Sequence, residues 1–294
     1  MRRARFHQAT EQLFDQRNLN ARRSTMNELE RRWTLPDLQS AIDWCSQRNT
    51  QNIRCIVDVL GEYAREESQS AASVNAYLAT AKAIADSRVR ASLTVKLSAL
   101  GALYDRERCR ENAQKIAREA ARRGVDFEID MEGQRLVEYT IDVAAACAER
   151  GHHVSLALQA YLDRTGDDVR RIRESGITAR IVKGAYAGAT TDFADIQQRF
   201  KAAVKDLCKN AAFFAVGTHD PELIEWTRAQ MGAKRDLIEF GFLKGLADRT
   251  KIVMAEEGWP ISEYVPFGEN RAAYEARRQK YLNELHDLGR IAVP

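Results

Sequence analysis

Residues 154–183 read VSLALQAYLDRTGDDVRRIRESGITARIVK. A short apolar run, 154–159, gives way to a charged stretch with apolar residues at helical spacing, and a second apolar run follows at 179–182 (ARIV). Strand-like, helix-like, strand-like is the pattern of a parallel βαβ unit. The same rhythm extends in both directions. Toward the N-terminus lie 53–59 (IRCIVDV), 92–98 (SLTVKLS) and 125–130 (VDFEID); toward the C-terminus lie 212–216 (AFFAV), 237–240 (LIEF) and 262–265 (SEYV). Arg- and Glu-rich segments with helical periodicity, such as 111–123 and 192–209, separate them. Eight such repeats in about 250 residues predict a TIM-type (β/α)8 barrel. A doubly wound open sheet is the competing architecture, but no GxGxxG follows any of the runs. The reading is one domain over 1–294. Residues 1–50 form an N-terminal helical segment, with a helix start at Thr34-Leu35-Pro36-Asp37, and 51–294 form the barrel and a final helix carrying Arg277 and Arg278.

Composition narrows the function classes. Hydrophobic residues make up 45% and charged residues 30%, as in an ordinary globular chain. The net charge of +3 leaves no footprint for nucleic acid. No apolar run approaches the roughly 18 to 20 residues of a membrane span. The odd number of cysteines, five, with no CxxC or zinc-finger spacing, predicts reduced, mostly buried thiols in a cytoplasmic protein. With no amphipathic anchor carrying a strong basic face, at most a loose association with a membrane surface is expected.

In a barrel of this kind catalytic groups gather where strands end. Those ends carry Lys96, Asp130 with Glu132, Gln159 with Tyr161, Lys183 with Tyr186, Thr218 with His219, and Tyr264. Lys96 stands inside an apolar run, where an ammonium needs a carboxylate or a ligand; a structural pair with Asp130 is the plain alternative. Asp130 and Glu132 would share a face if the strand continued, but no supporting ligand spacing makes them a metal pair. His152 and His153 precede the fourth run and fall at the opposite end of the barrel. Arg277 and Arg278 are either a solvated basic stripe or a fork for a carboxylate, and residue physics alone leaves both open.

The motifs VKLSAL (95–100), EIDMEG (128–133), QAY (159–161), RIVKGAY (180–186), GTHD (217–220), YVPFG (264–268) and YEARR (274–278) occur in this order. That succession resembles the proline dehydrogenase family, over about residues 53–280. The resemblance implies a (β/α)8 barrel that binds FAD noncovalently and oxidises L-proline to Δ1-pyrroline-5-carboxylate. It implies that Lys96, Arg277 and Arg278 clamp the substrate carboxylate, that Tyr264 and Tyr274 line the ring pocket, and that Asp130 stands beside them. It assigns Gln159, Arg180, Lys183, Gly184, Ala185, Tyr186, Thr218 and His219 to FAD. It also implies a quinone or electron-transfer acceptor.

The chain departs from the family pattern at Ala187 and Gly188, at Gly241 where Gln is usual, at Asn270, Arg271 and Ala272 where an aromatic residue is common, and at Tyr281 where Glu is frequent. These departures thin the expected flavin shell. A related cyclic amino acid such as hydroxyproline is a further candidate substrate. Two other classes compete: a flavin-free barrel enzyme using Lys96 or Lys183 as a Schiff base, and a non-catalytic amino-acid binder. Oligomeric state is not legible.

Overall fold

The computed structural model describes residues 32–184, 188–210, 213–287 and 289. Eight described strands run parallel and pair in chain order: β1 (Ile53–Val59), β2 (Ala91–Val95), β3 (Asp126–Ile129), β4 (Val154–Gln159), β5 (Thr178–Val182), β6 (Phe214–Gly217), β7 (Ile238–Leu243) and β8 (Ile261–Phe267). Strand β8 pairs back onto β1 along its whole length, so the sheet closes and leaves no edge. Helix α1 (Leu38–Thr50) precedes the barrel. Helices α2 (Glu67–Ser87), α3 (Arg106–Arg122), α4 (Val137–Ala148), α5 (Thr165–Glu174), α6 (Phe193–Asn210), α7 (Pro221–Met231) and α8 (Asp248–Glu256) make the crossovers, and α9 (Ala272–Asp287) follows β8. The barrel expected from the alternating runs is the fold observed.

Sequence chemistry accounts for each piece. In α3 the buried residues Cys109, Ala113, Ile116, Ala117 and Ala120 recur every three to four positions and face the sheet. Asp105 caps that helix by accepting from Arg108 N at 3.0 Å. Asp37 caps α1 in the same way through Ser40 N, and Asp220 caps α7 with Pro221 in the first turn. Residues 1–31, read from sequence as helical, lie outside the described residues. Just beyond them Leu35 bridges to Phe267 and extends the rim of β8. Four of the cysteines, Cys45, Cys55, Cys109 and Cys147, are free and buried, and Cys208 is free and partly exposed. Among the described residues no helix is long and apolar enough to cross a membrane.

The second run departs from expectation. Read as one strand over 92–98, it stops being sheet at Val95, and 97–100 turn into a 3-10 helix. The cause is local hydrogen bonding. Ser98 N donates to Glu132 Oε1 at 2.9 Å and Ala99 N to Lys96 O at 3.1 Å, so neither is available to a neighbouring strand. Lys96 is thereby left extended at the strand's exit.

Inside the barrel the odd-numbered strands contribute one layer made of charges. Arg54 of β1 reaches Glu128 of β3 at 3.1 Å and Glu239 of β7 at 2.9 Å. Arg180 of β5 reaches the same two carboxylates at 2.7 and 3.5 Å. Four side chains from alternate strands form a layer in any such barrel, but the usual occupants are branched and apolar. Here two cations and two anions alternate around the ring, which is how buried charge is tolerated. Burial would raise the Glu239 carboxyl, but Arg54 and Arg180 hold it down at about 2. This polar floor lies beneath the C-terminal mouth.

Candidate active site at the C-terminal mouth

Lys96 is the centre of the site. It is 4% exposed, and its ammonium donates to Asp58 Oδ1 at 2.7 Å and to the Tyr264 hydroxyl at 3.0 Å, with Asp130 Oδ2 also at 3.0 Å. Tyr264 in turn donates to Asp130, whose other oxygen accepts from Thr94 at 3.3 Å. Burial works against charge on Lys96, but Asp58, Tyr264 and Asp130 keep the ammonium protonated well above its ordinary range. Asp58 is fully buried. Burial, opposed by Lys96 and aided by Asp130, pushes its carboxyl up to about 6, and its Oδ2 has no hydrogen-bond partner. The pairing of Lys96 with Asp130 is thus present, but Asp58 was missed in the sequence. It is the sixth residue of IRCIVDV, and reads as one polar interruption in an apolar strand. Period two was the available signal, since Arg54 and Asp58 lie on the same, inward face of β1.

The arginine pair diverges. Arg278 is 6% exposed and donates to the hydroxyl of Tyr274, one turn before it on α9, while its Nε is buried without a partner. Tyr274 packs with Trp33 and Leu60, and Tyr264 borders that cluster, so the two tyrosines expected at the ring pocket do share one apolar patch. Burial raises the Tyr274 hydroxyl above its ordinary range, with Arg278 and Lys96 opposing the shift and Asp58 adding to it. Arg277 points to the rim instead and pairs with Glu62. Three cations, Lys96, Arg277 and Arg278, therefore stand among three carboxylates, Asp58, Asp130 and Glu62.

Of the residues expected at the cofactor, Gln159, Lys183, Gly184, Thr218 and His219 lie along the β4–β6 arc of the same mouth. Gln159 is buried; its Nε2 donates to Glu132 O at 2.8 Å and its Oε1 has no partner. Gly184 sits against it with φ of +120°, and a Cβ there would lie 2.9 Å from Gln159 Oε1 and 2.2 Å from Tyr161, so only glycine fits. Lys183 pairs with Glu284 of α9 at 2.7 Å and lies 4.8 Å from the centre of the Tyr281 ring. Arg180 belongs to the charged layer described above. Thr218 accepts from Asp220 N at 3.1 Å. His219 accepts from Leu243 N at 3.0 Å through Nε2, so its proton resides on Nδ1, which faces the Tyr281 hydroxyl at 3.4 Å. Burial, with Arg278 and Lys251 nearby, keeps this imidazole neutral far below its ordinary range. Ala185 and Tyr186 lie outside the described residues. Glu132 does not join Asp130; it turns back to Ser98. His152 and His153 stand at the N-terminal end of β4, away from the mouth.

The departures acquire physical reasons. A Cβ at Gly241 would lie 2.8 Å from Arg180 Nη1 and 3.3 Å from Val216 O, so glycine leaves the space in which the Arg180 guanidinium sits. Tyr281 stacks edge-on with His219, and the acid at this part of α9 is Glu284, one turn later, paired with Lys183.

A closed parallel barrel with a buried lysine, a buried arginine and two tyrosines at its C-terminal mouth has the architecture of a (β/α)8 enzyme. A family model described as proline dehydrogenase matches residues 41–282. The chain belongs to the proline dehydrogenase family and is an oxidoreductase acting on proline, a step of proline catabolism. It is 29% identical to proline dehydrogenase 2 of Bacillus subtilis (strain 168), covering 82% of each chain. It is 27% identical to proline dehydrogenase of Deinococcus radiodurans, covering 88% of this chain and 87% of that one. Among solved structures it resembles proline utilization A from Bdellovibrio bacteriovorus inactivated by N-propargylglycine, with a TM-score of 0.80 and 18% identity over 88% of this chain. It spans 33% of that longer chain, and the likeness there is one of fold.

Proposed function

We propose that this chain oxidises L-proline to Δ1-pyrroline-5-carboxylate using FAD, and passes the electrons on to a quinone or another electron-transfer acceptor. The observation that carries the reading is the buried ammonium of Lys96 at a mouth shared with Arg278, whose Nε lacks a protein partner. A substrate carboxylate matches both. With three cations facing three carboxylates, a small zwitterion enters without leaving net charge buried. Tyr264 and Tyr274 supply apolar ring faces beside that anchor, suited to a saturated five-membered ring.

The residues present suit the flavin. Gln159 offers an unpartnered buried amide oxygen under Gly184, and Arg180, Lys183, Thr218 and His219 stand on the same arc. When bound, FAD supplies the hydride acceptor that no side chain provides. The work of the chain is placement. Lys96, Arg277 and Arg278 fix the carboxylate, the tyrosines hold the ring, and Asp130 keeps Tyr264 oriented. A ring C–H bond next to nitrogen gives up its electron pair, the nitrogen gives up a proton, and a C=N bond forms. The nitrogen must be neutral for this, so turnover rises with pH.

A Schiff-base mechanism is poorly served by these lysines. Both carboxylates hold Lys96 protonated, and Lys183 is engaged in an ion pair with Glu284. The direct test is the absorbance spectrum of purified protein, before and after anaerobic addition of L-proline. Flavin bands that bleach are expected. Protein that carries no flavin and cannot be reconstituted with it sinks the reading, and proline binding without bleaching favours a non-catalytic binder.

A further inference from the structure

The loop after β1 carries a backbone anomaly beside the clamp. Tyr63 has φ of +60°, a left-handed conformation that bulky residues rarely adopt. The residue is 44% exposed, so side-chain packing does not impose this geometry. Hydrogen bonds do. Tyr63 N donates to Ser98 Oγ at 3.1 Å, and Ala64 N donates to Ser98 O at 2.9 Å. Ser98 is itself immobilised: its N and its hydroxyl both donate to the carboxylate of Glu132, which is 1% exposed. The residue immediately before the anomaly is Glu62, whose two oxygens accept from Arg277.

We propose that Ser98, anchored by Glu132, is a positioning residue for proline: it holds Tyr63 in left-handed geometry and so sets Glu62 where it orients the Arg277 guanidinium. Ser98 is fully buried, with its polar groups engaged by Glu132 and the loop, so it acts through the loop. Without the Ser98 hydroxyl the bond from Tyr63 N is lost, while that from Ala64 N to the Ser98 carbonyl stays; the strained backbone at Tyr63 then relaxes, and Glu62 leaves the arginine fork unconstrained. The expected signature is weaker proline binding with unchanged chemistry. The inference rests on the reading of Arg277 as one arm of the carboxylate clamp.

Steady-state kinetics of the flavin-loaded protein test it. Ser98→Ala is expected to raise KM for proline about tenfold while kcat stays within about twofold. Adding Tyr63→Gly to that variant supplies left-handed geometry without steric cost and is expected to bring KM most of the way back. Ser98→Cys, a weaker acceptor of similar shape, is expected to give a smaller rise, and it carries the test if the alanine variant does not fold. A KM that stays at the wild-type value, or a raised KM that Tyr63→Gly does not lower, overturns the inference. Arg277→Gln separates the two layers. If its KM is that of wild type, the clamp reading has failed; if its KM rises while that of Ser98→Ala does not, only the positioning role has.

Discussion

Asp58 Oδ1 accepts from Lys96 Nζ at 2.7 Å, and both side chains are shut away from solvent at the head of the barrel. The pair converts a costly buried lysine into a fixed cation at the mouth, and it ties the proposed binding site to a carboxyl that burial pushes up to about 6.

That group gives a pH prediction. Burial pushes the Asp58 carboxyl up to about 6, so below that pH it takes a proton and Lys96 loses one of its two anionic partners. In the wild type, kcat/KM for proline should fall on an acid limb near that value, beneath the rise caused by deprotonation of the substrate amine. Asp58→Asn should remove the limb and leave the amine-controlled rise. A limb that persists in the variant assigns it elsewhere.

The charged layer makes a stability prediction. Glu239→Gln leaves Arg54 and Arg180 sharing only Glu128 in the interior, and breaking a buried pair in this way costs about 3–5 kcal/mol. Urea denaturation measures it. The sign with pH follows from the depressed carboxyl, about 2 in the folded chain against an ordinary 4.5. The contribution is full above 4.5 and is lost as pH falls toward 2. Wild type and Glu239→Gln should therefore converge in stability as the solution is acidified.

Gly241 should not tolerate a side chain. With Arg180 Nη1 at 2.8 Å and Val216 O at 3.3 Å from a new Cβ, Gly241→Ala must push the guanidinium out of its ring. The expected loss is about 1–3 kcal/mol in a thermal or urea melt, from overpacking and weakened ion pairs. A neutral alanine would mean that the space is less committed to Arg180 than the packing indicates.

How much of this was legible depended on what each residue had to do. The barrel could be read because its strands are short β-branched runs separated by amphipathic helices, a pattern set by burial alone. The strand ends holding Lys96, Asp130, Gln159 and His219 could be read because polar groups punctuate those runs at one end. Asp58 could not, since a carboxylate inside IRCIVDV resembles a lapse in an apolar strand until its partner is known. The charged layer was equally hidden: Arg54, Glu128 and Glu239 sit on three different strands, and only closure of the sheet brings them to Arg180. Glu62 and Glu284, which hold Arg277 and Lys183, lie in loop and helix positions where acids are ordinary. The local spacing around Ser98 gave no sign that it would leave the strand for Glu132, because that turn is dictated by a contact between residues 34 apart.

Recognition of the substrate carboxylate is proposed to rest on Lys96. The most direct measurement compares L-proline with pyrrolidine, which has the ring and amine but no carboxylate, as anaerobic reductants of the wild type and of Lys96→Met. The wild type is expected to prefer proline by about a hundredfold or more in reduction efficiency, and Lys96→Met to lose most of that preference, as follows when a buried charge partner is removed. A variant that still prefers proline as strongly as the wild type would place carboxylate recognition away from Lys96.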